Sequence, residues 1–600
     1  MKKSTKEYIS ALKEYINVLK KNIPFIKERI RVLQENKYFI PIITIIISLS
    51  IIMGINAVVE SNVGTNKDEV SIATNTAEAD FYNRKYEEAI AGYTKLQEKE
   101  DWPIWNVKIA EIYSVEGNFV KSNEMLEQVY ETRNKIIDTK KEEKDKLEVK
   151  DRELTNYILF TALMNGDEKK ALEYGEVFLQ DYPDDKNLFK TMFTVCLANG
   201  NKVKAKEIVD KYPISDETAS DLAVLARMNL LIDDFDKGFA LLKDAWYKDK
   251  NEVKTFDVIA QIADYDQADI LNKISKLEEK EPDELAYKMW RAKIYSMSKD
   301  YTEKASELVA KLDSEDVGST NLMLIKSNMY QNMGEIEKSK EVLDEIINKD
   351  PNSFIGYHAA AWQAYNNGKY DEAFKNCEKS IVMNKDYPDN YGFLIPEIMA
   401  KQNKSEEVEP YFRTALYKEP FNYNIIIKIA EYYGNTVKDT TKALYYYDLA
   451  SKIKPNDAEV YYNMALIKSN NQREDEAIEL LKKSISISDK VPKYHRALGT
   501  VYLNAEKSEE ALKEIRNAYS IDKNDILTLN NAGCYYIAID GDVERSMTNL
   551  KAAYDGINEK TSAEDKDTIT ENYNRVKNLS DAYNKRNGAT LTVPDLRLFY

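Results

Sequence analysis

The sequence predicts an all-α solenoid: a long array of helix-turn-helix units preceded by one transmembrane helix. Three observations predict it. A small residue recurs with a period near 34, at Ala89, Ser122, Ala171, Ala205, Gly238, Ser339, Ala373, Val408, Ala443, Ala477, Ala511 and Ser546. A fixed period of about that length marks stacked helical repeats, because each unit buries its apolar face only against its neighbours. Glycine (19) and proline (14) are scarce in 600 residues, as suits helices joined by short turns. Finally, residues 38–59 form an uncharged run long enough to cross a bilayer.

The N-terminal elements come first. Residues 1–37 hold ten Lys/Arg against four Glu, and Ile9, Leu12, Ile16, Leu19, Ile23, Ile26, Ile30 and Leu33 alternate spacings of three and four. That seam suits either a coiled-coil homodimer through 9–33 or an amphipathic helix on the inner leaflet; Pro24 interrupts a continuous helix. The run 38–59 contains thirteen Ile, Leu, Val and Phe residues. They favour insertion by roughly 4–8 kcal/mol before discounts for Pro41 and Asn56. Lys27, Arg29, Arg31 and Lys37 precede it and only Lys67 follows closely, so the positive-inside rule places the N-terminus in the cytoplasm. The rest of the chain then lies outside the cell membrane on a single-pass anchor. No small-x-small cleavage site follows the run, which argues against a signal peptide. Residues 60–75 are polar and aperiodic, a tether.

The repeat region follows. Five residues before the small residue stands a turn glycine in several units (Gly117, Gly166, Gly200, Gly334, Gly368), or Asn403. Both types accept the left-handed backbone that ends a helix. Twelve residues after the small residue stands proline in several units: Pro183, Pro351, Pro420, Pro455. In first helices a small residue precedes an aromatic by three, as in Ala110/Tyr113, Ala430/Tyr433, Gly499/Tyr502 and Gly533/Tyr536. Aliphatic side chains such as Leu126, Leu343, Leu481 and Ile515 fill the space around the contact. Residues 76–245 form an N-terminal array and 286–556 a C-terminal one. The stretch 246–285 fits the period poorly, as a degenerate repeat or hinge. The charge-dense block 131–153 is expected to extend a solvated helix pair. Within 557–600 a capping helix is expected over 565–586. After it comes an apolar tail (Leu591, Val593, Leu596, Leu598, Phe599, Tyr600) that either packs back on the solenoid or offers a partner an extended motif.

The pattern resembles the tetratricopeptide repeat (TPR), with small residues at 8 and 20, Tyr at 11, Gly at 15 and Pro at 32 of each unit. The units around Phe354–Asn384 and around His495, Leu498, Gly499, Tyr502 and Ala511 carry it most fully. The resemblance covers about residues 76–556 and implies a right-handed superhelix whose first helices line a concave groove for peptide or helix. Carried over to this chain, it places Ile355, His358, Trp362, Tyr365, Phe393, Tyr462, Asn463, Lys493, Arg496 and Asn530 on that groove. It does not imply the carboxylate clamp of some TPR domains. Arg496 stands three residues after Lys493 rather than four, and Ile427 and Glu431 occupy positions that need Lys and Asn.

Composition narrows the function classes. Residues 60–600 carry 75 basic and 98 acidic residues, a net of −23, which argues against nucleic acid as a partner. Two histidines and three dispersed cysteines (Cys196, Cys377, Cys534) offer little for a metal site or a nucleophile relay, and no cofactor is expected. No phosphate-binding, metalloprotease or serine-hydrolase motif occurs in the context its chemistry needs. The expectation is a non-catalytic, membrane-anchored scaffold that binds protein or peptide partners at the cell envelope. The alternative is a transmembrane signalling subunit that couples ligand binding outside to the 9–33 helix inside.

Overall fold

Each repeat unit is a pair of helices, and the recurring small residue is where the two touch. All twelve small positions are buried in the computed structural model, which describes residues 72–139, 144–214, 218–264, 267–314, 319–585 and 592–600. The contact is close enough for serine hydroxyls to reach the facing main chain. Ser122 Oγ donates to the Ala110 carbonyl and Ser546 Oγ to the Gly533 carbonyl, both at 2.7 Å. A Cβ on Gly533 would stand 2.5 Å from Leu550 Cγ, so only glycine allows that approach.

The turn between the paired helices is equally regular. Five residues before every small residue the backbone enters the left-handed region: Gly117, Gly166, Gly200, Gly334, Gly368 and Gly541 lie at φ 65–82°. Arg84, Asp233, Asn403, Lys438, Gln472 and Glu506 take the same role at φ 55–67°. Among the described residues these are all the positive-φ positions. At these twelve turns the reversal takes the same conformation, while the sequence supplies glycine in only half of them; the pair Leu285–Ser296 and Thr302–Ser314 turns without it, through a 3-10 turn at Lys299–Tyr301.

Segments with weaker patterning are helical too. Residues 246–285 hold the helices Lys254–Ala263 and Gln267–Lys280, whose Phe256, Ile259, Ile270 and Ile274 join a core with Trp246 and Trp290. Ala305, fully buried one period before Ser339, is a further small position beyond this stretch. The block 131–153 belongs to two 21-residue helices, Phe119–Thr139 and Lys144–Met164. Its charges are not all solvated. Arg133 is buried and donates to both Asp151 oxygens at 2.6 Å and to Asp181 at 2.8 Å, and Tyr182 adds a bond to Asp151. Desolvation is offset because each buried charge meets several partners.

The array closes on itself. The first helices of the N-terminal units are Thr76–Tyr82, Ile104–Val115, Lys144–Met164, Lys186–Ala198 and Ala219–Leu231, and the helices Glu409–Lys418, Tyr423–Glu431 and Thr440–Ile453 cover their faces. One apolar core runs from Trp102 to Met228 and from Ala361 to Val460. Tyr157 stacks on Tyr417 at 4.4 Å, and Phe193 meets Phe421 edge-on. Polar groups align across the same seam. Arg413 donates to Ser114 Oγ at 2.5 Å, Lys442 to the Val115 carbonyl at 2.7 Å, and Tyr445 to the Leu163 carbonyl at 2.9 Å. Lys254 pairs with Glu419 at 2.8 Å with both side chains buried. The N-terminal inner face is thus occupied by the chain's own helices.

Residues 1–71 lie outside the described residues, and with them the expected 9–33 helix and the 38–59 span. Among the described residues no helix is long and apolar enough to cross a membrane.

Candidate peptide-binding grooves

Two further faces hold most of the expected groove residues. The first is a cavity of about 530 Å³ between the first helices Lys254–Ala263, Leu285–Ser296, Thr320–Met333 and Phe354–Asn366, closed on one side by residues 387–393. Ile355, His358, Trp362 and Phe393 line it, together with Asp257, Gln261, Lys293, Asn328, Gln331 and Asp389. Its wall is braced from behind. His358 Nδ1 donates to Asn390 Oδ1 at 2.7 Å, and Asn390 Nδ2 in turn donates to Ser380 Oγ at 2.9 Å. The Trp362 indole N–H donates to His358 Nε2 at 3.1 Å, so His358 is neutral with its proton on Nδ1. Burial pushes His358 down to about 4, in accord with that arrangement.

The second face is formed by the first helices Pro492–Asn504 and Ile526–Ala538 with the final helix Ala563–Asn584. Residues 592–600 lie along it without regular secondary structure, held largely through their main chain. Asn531 accepts from the Phe599 N–H at 2.8 Å and donates to the Phe599 carbonyl at 2.7 Å. Asn572 grips Arg597 the same way, accepting from its N–H at 3.1 Å and donating to its carbonyl at 2.7 Å. Thr500 Oγ1 and Asn530 add donors to those two carbonyls at 2.6 and 3.1 Å. Arg496 Nε donates to the main-chain oxygen of Tyr600 at 3.2 Å, its guanidinium being fixed by Asp525. Side chains fill the spaces between. Leu596 and Leu598 pack with Cys534, Ile537, Leu550 and Val576, and Phe599 with Leu529 and Ile569. An amide that meets the N–H and C=O of one residue repeats the pairing of a β-ladder. The contact is made with main chain alone, so it does not depend on the side chain of the residue held.

The residues expected on the groove from the repeat register divide between these places. Ile355, His358, Trp362 and Phe393 share the first cavity; Tyr365 sits beside Trp362 but turns its hydroxyl to Glu397 at 3.2 Å. Arg496 and Asn530 meet residues 592–600, and Tyr462 packs in the cluster that receives Tyr600. Lys493 pairs with Glu459 at 2.7 Å, and Asn463 lines a separate cleft with Tyr423, Glu431 and Lys454. Asn531, Asn572 and Thr500 were not anticipated. Asn531 adjoins Asn530 in sequence, so a run of amides on one first helix was the available signal. Asn572 belongs to the final helix, where the repeat register has ended. Asp257 and Gln261 fall in the stretch where the period fades.

Two segments match family models of the tetratricopeptide repeat, residues 322–353 and 458–490. The chain therefore carries TPR units within an all-helical, TPR-like solenoid. Its sequence matches no curated protein. Solved structures similar to it include the APC/C hetero-tetramer Cut9–Hcn1, at 12% identity over 83% of this chain and 95% of that one, with a TM-score of 0.36. Yeast Tom70 is similar at 15% identity over 80% and 94%, with a TM-score of 0.33. YrrB, described as a TPR protein with an unusual peptide-binding site, is similar at 18% identity over 31% and 95%, with a TM-score of 0.27.

Proposed function

We propose that this protein is a non-catalytic scaffold that binds extended segments of protein partners on the inner faces of its repeat array. The run 38–59 anchors it in the cell membrane, with the array on the extracytoplasmic side. The observation that carries the binding reading is the asparagine pair Asn531 and Asn572, each meeting both main-chain groups of one residue in the segment 592–600. A surface that holds its own chain this way presents the donors and acceptors a partner segment needs. Anchoring raises the local concentration of such a surface at the membrane.

The test uses a chain ending at Leu591 and a fluorescent nonapeptide of the sequence 592–600. The shortened chain should bind the peptide, and the Asn531→Ala version should not. Failure of the shortened, folded chain to bind it removes this reading. Topology is checked separately by adding protease to intact, wall-stripped cells; a body that stays protected lies on the inner side.

A further inference from the structure

The middle cavity holds more hydrogen-bonding capacity than its own walls use. Gln261 is only 5% exposed, lines the cavity, and has no partner at either Oε1 or Nε2. Asp257 Oδ2, Asp389 Oδ1, Gln331 Oε1 and Gln363 Nε2 are also buried there without partners. Of these six atoms four are acceptors. A buried acceptor left unpaired costs about 1–3 kcal/mol, so the site favours an occupant rich in N–H donors.

Charge points the same way. Asp257, Asp264 and Asp389 line the cavity against one cation, Lys293. The neighbouring Lys254 is committed to Glu419, and His358 is neutral because its Nε2 accepts the Trp362 indole proton. Asp264 already receives the Asn424 amide at 3.3 Å, which leaves Asp257 and Asp389 as the carboxylates with a free oxygen. Burial raises both above the ordinary carboxylate range, and Asp389 repels Asp257 further. A cation between them would relieve desolvation and repulsion together. Trp362 and Phe393 supply aromatic surface for an alkyl stem or a planar guanidinium.

We propose that this cavity is a pocket for a basic side chain, arginine above lysine, carried by a bound peptide segment, with Asp257 and Asp389 as its counter-ions. Arginine is preferred because its planar fork presents five donors to acceptors that surround it, where an ammonium presents three. The site adds side-chain selectivity to an array whose other groove grips main chain, and it does not depend on that groove.

The experiment is a positional-scanning library of nonapeptides applied to the full chain, with the central residue fixed as Arg, Lys, citrulline or norleucine. Citrulline keeps the shape and most donors of arginine without the charge. The Arg sub-library should bind at least about tenfold tighter than the citrulline one, the scale of one charge-assisted contact. Asp389→Asn and, separately, Asp257→Asn should each erase that preference while keeping or raising the melting temperature, because one of two repelling buried carboxylates has gone. Equal binding of the Arg and citrulline sub-libraries overturns the proposal, as does an Arg preference that survives both substitutions. A library that gives no binding overturns it as well. The Asn531 peptide experiment probes the other groove, so either reading can fail alone.

Discussion

Replacing Asn531 by alanine isolates what holds residues 592–600 in their groove. The Asn531 side chain is fully buried and makes two bonds to Phe599, from the N–H at 2.8 Å and to the carbonyl at 2.7 Å. A neutral hydrogen bond of this kind contributes about 1 kcal/mol net, so Asn531→Ala should weaken docking by about 2 kcal/mol. That corresponds to about 30-fold more frequent opening of the segment. Thr500 still donates to the Phe599 carbonyl at 2.6 Å, which keeps the loss from being larger. The assay is amide hydrogen exchange, followed at Phe599 and, as an internal reference, in the helix Ile526–Ala538. Exchange at Phe599 should quicken about 30-fold while the helix core changes far less, since local opening and global unfolding are separate events. Equal change at Phe599 and in the helix would mean that Asn531 supports the helix packing and not the segment 592–600. Unchanged exchange at Phe599 would mean that the apolar contacts of Leu598 and Phe599 hold it alone. Either result refutes the main-chain clamp.

Two further outcomes follow from the backbone and from His358. Gln472 and Glu506 sit at φ 57° and 59°, where a side chain costs roughly 1–2 kcal/mol, so Gln472→Gly and Glu506→Gly should each raise stability by about 0.5–1 kcal/mol in urea unfolding. Gly368→Ala at φ 74° should lower it by about 1 kcal/mol, and a gain there would contradict the turn geometry. His358 is held down to about 4 by burial, below its ordinary value near 6.5, so it is the unfolded chain that takes up a proton between those values. Its contribution to stability is present above pH 6.5 and is lost as pH falls toward 4, by about 3 kcal/mol. The difference in urea midpoint between the wild-type chain and His358→Gln should therefore shrink across that window; a constant difference would show that His358 does not titrate there.

Legibility in the sequence tracked the range of the contacts involved. The turn glycines, the small positions and the paired helices depend on residues within one or two units of each other, so their spacing repeats and can be counted. The register also placed Arg496 and Asn530 on first helices that face residues 592–600. It lost Asp257 and Gln261, because near 246–285 large apolar residues such as Phe256 and Ile259 maintain the packing without the usual small-residue marks. Non-glycine turn residues such as Asp233 were invisible for a related reason: helix packing on both sides imposes the left-handed backbone there, whatever the residue.

The sequence by itself determined the helix pairs, their period and the acidic character of the array, because each follows from local spacing and composition. Tertiary structure decided which inner faces stay open. Arg413 reaches Ser114, Lys442 reaches Val115 and Tyr445 reaches Leu163 across about 300 residues of chain, and no period records such a pairing. It arises because apolar first-helix faces left open to water are costly, and the helices from 409 to 453 carry aromatic and aliphatic side chains that fill them. The same closure leaves the middle cavity uncovered by the helices from 409 to 453, and residues 592–600 cover the groove beside the final helix.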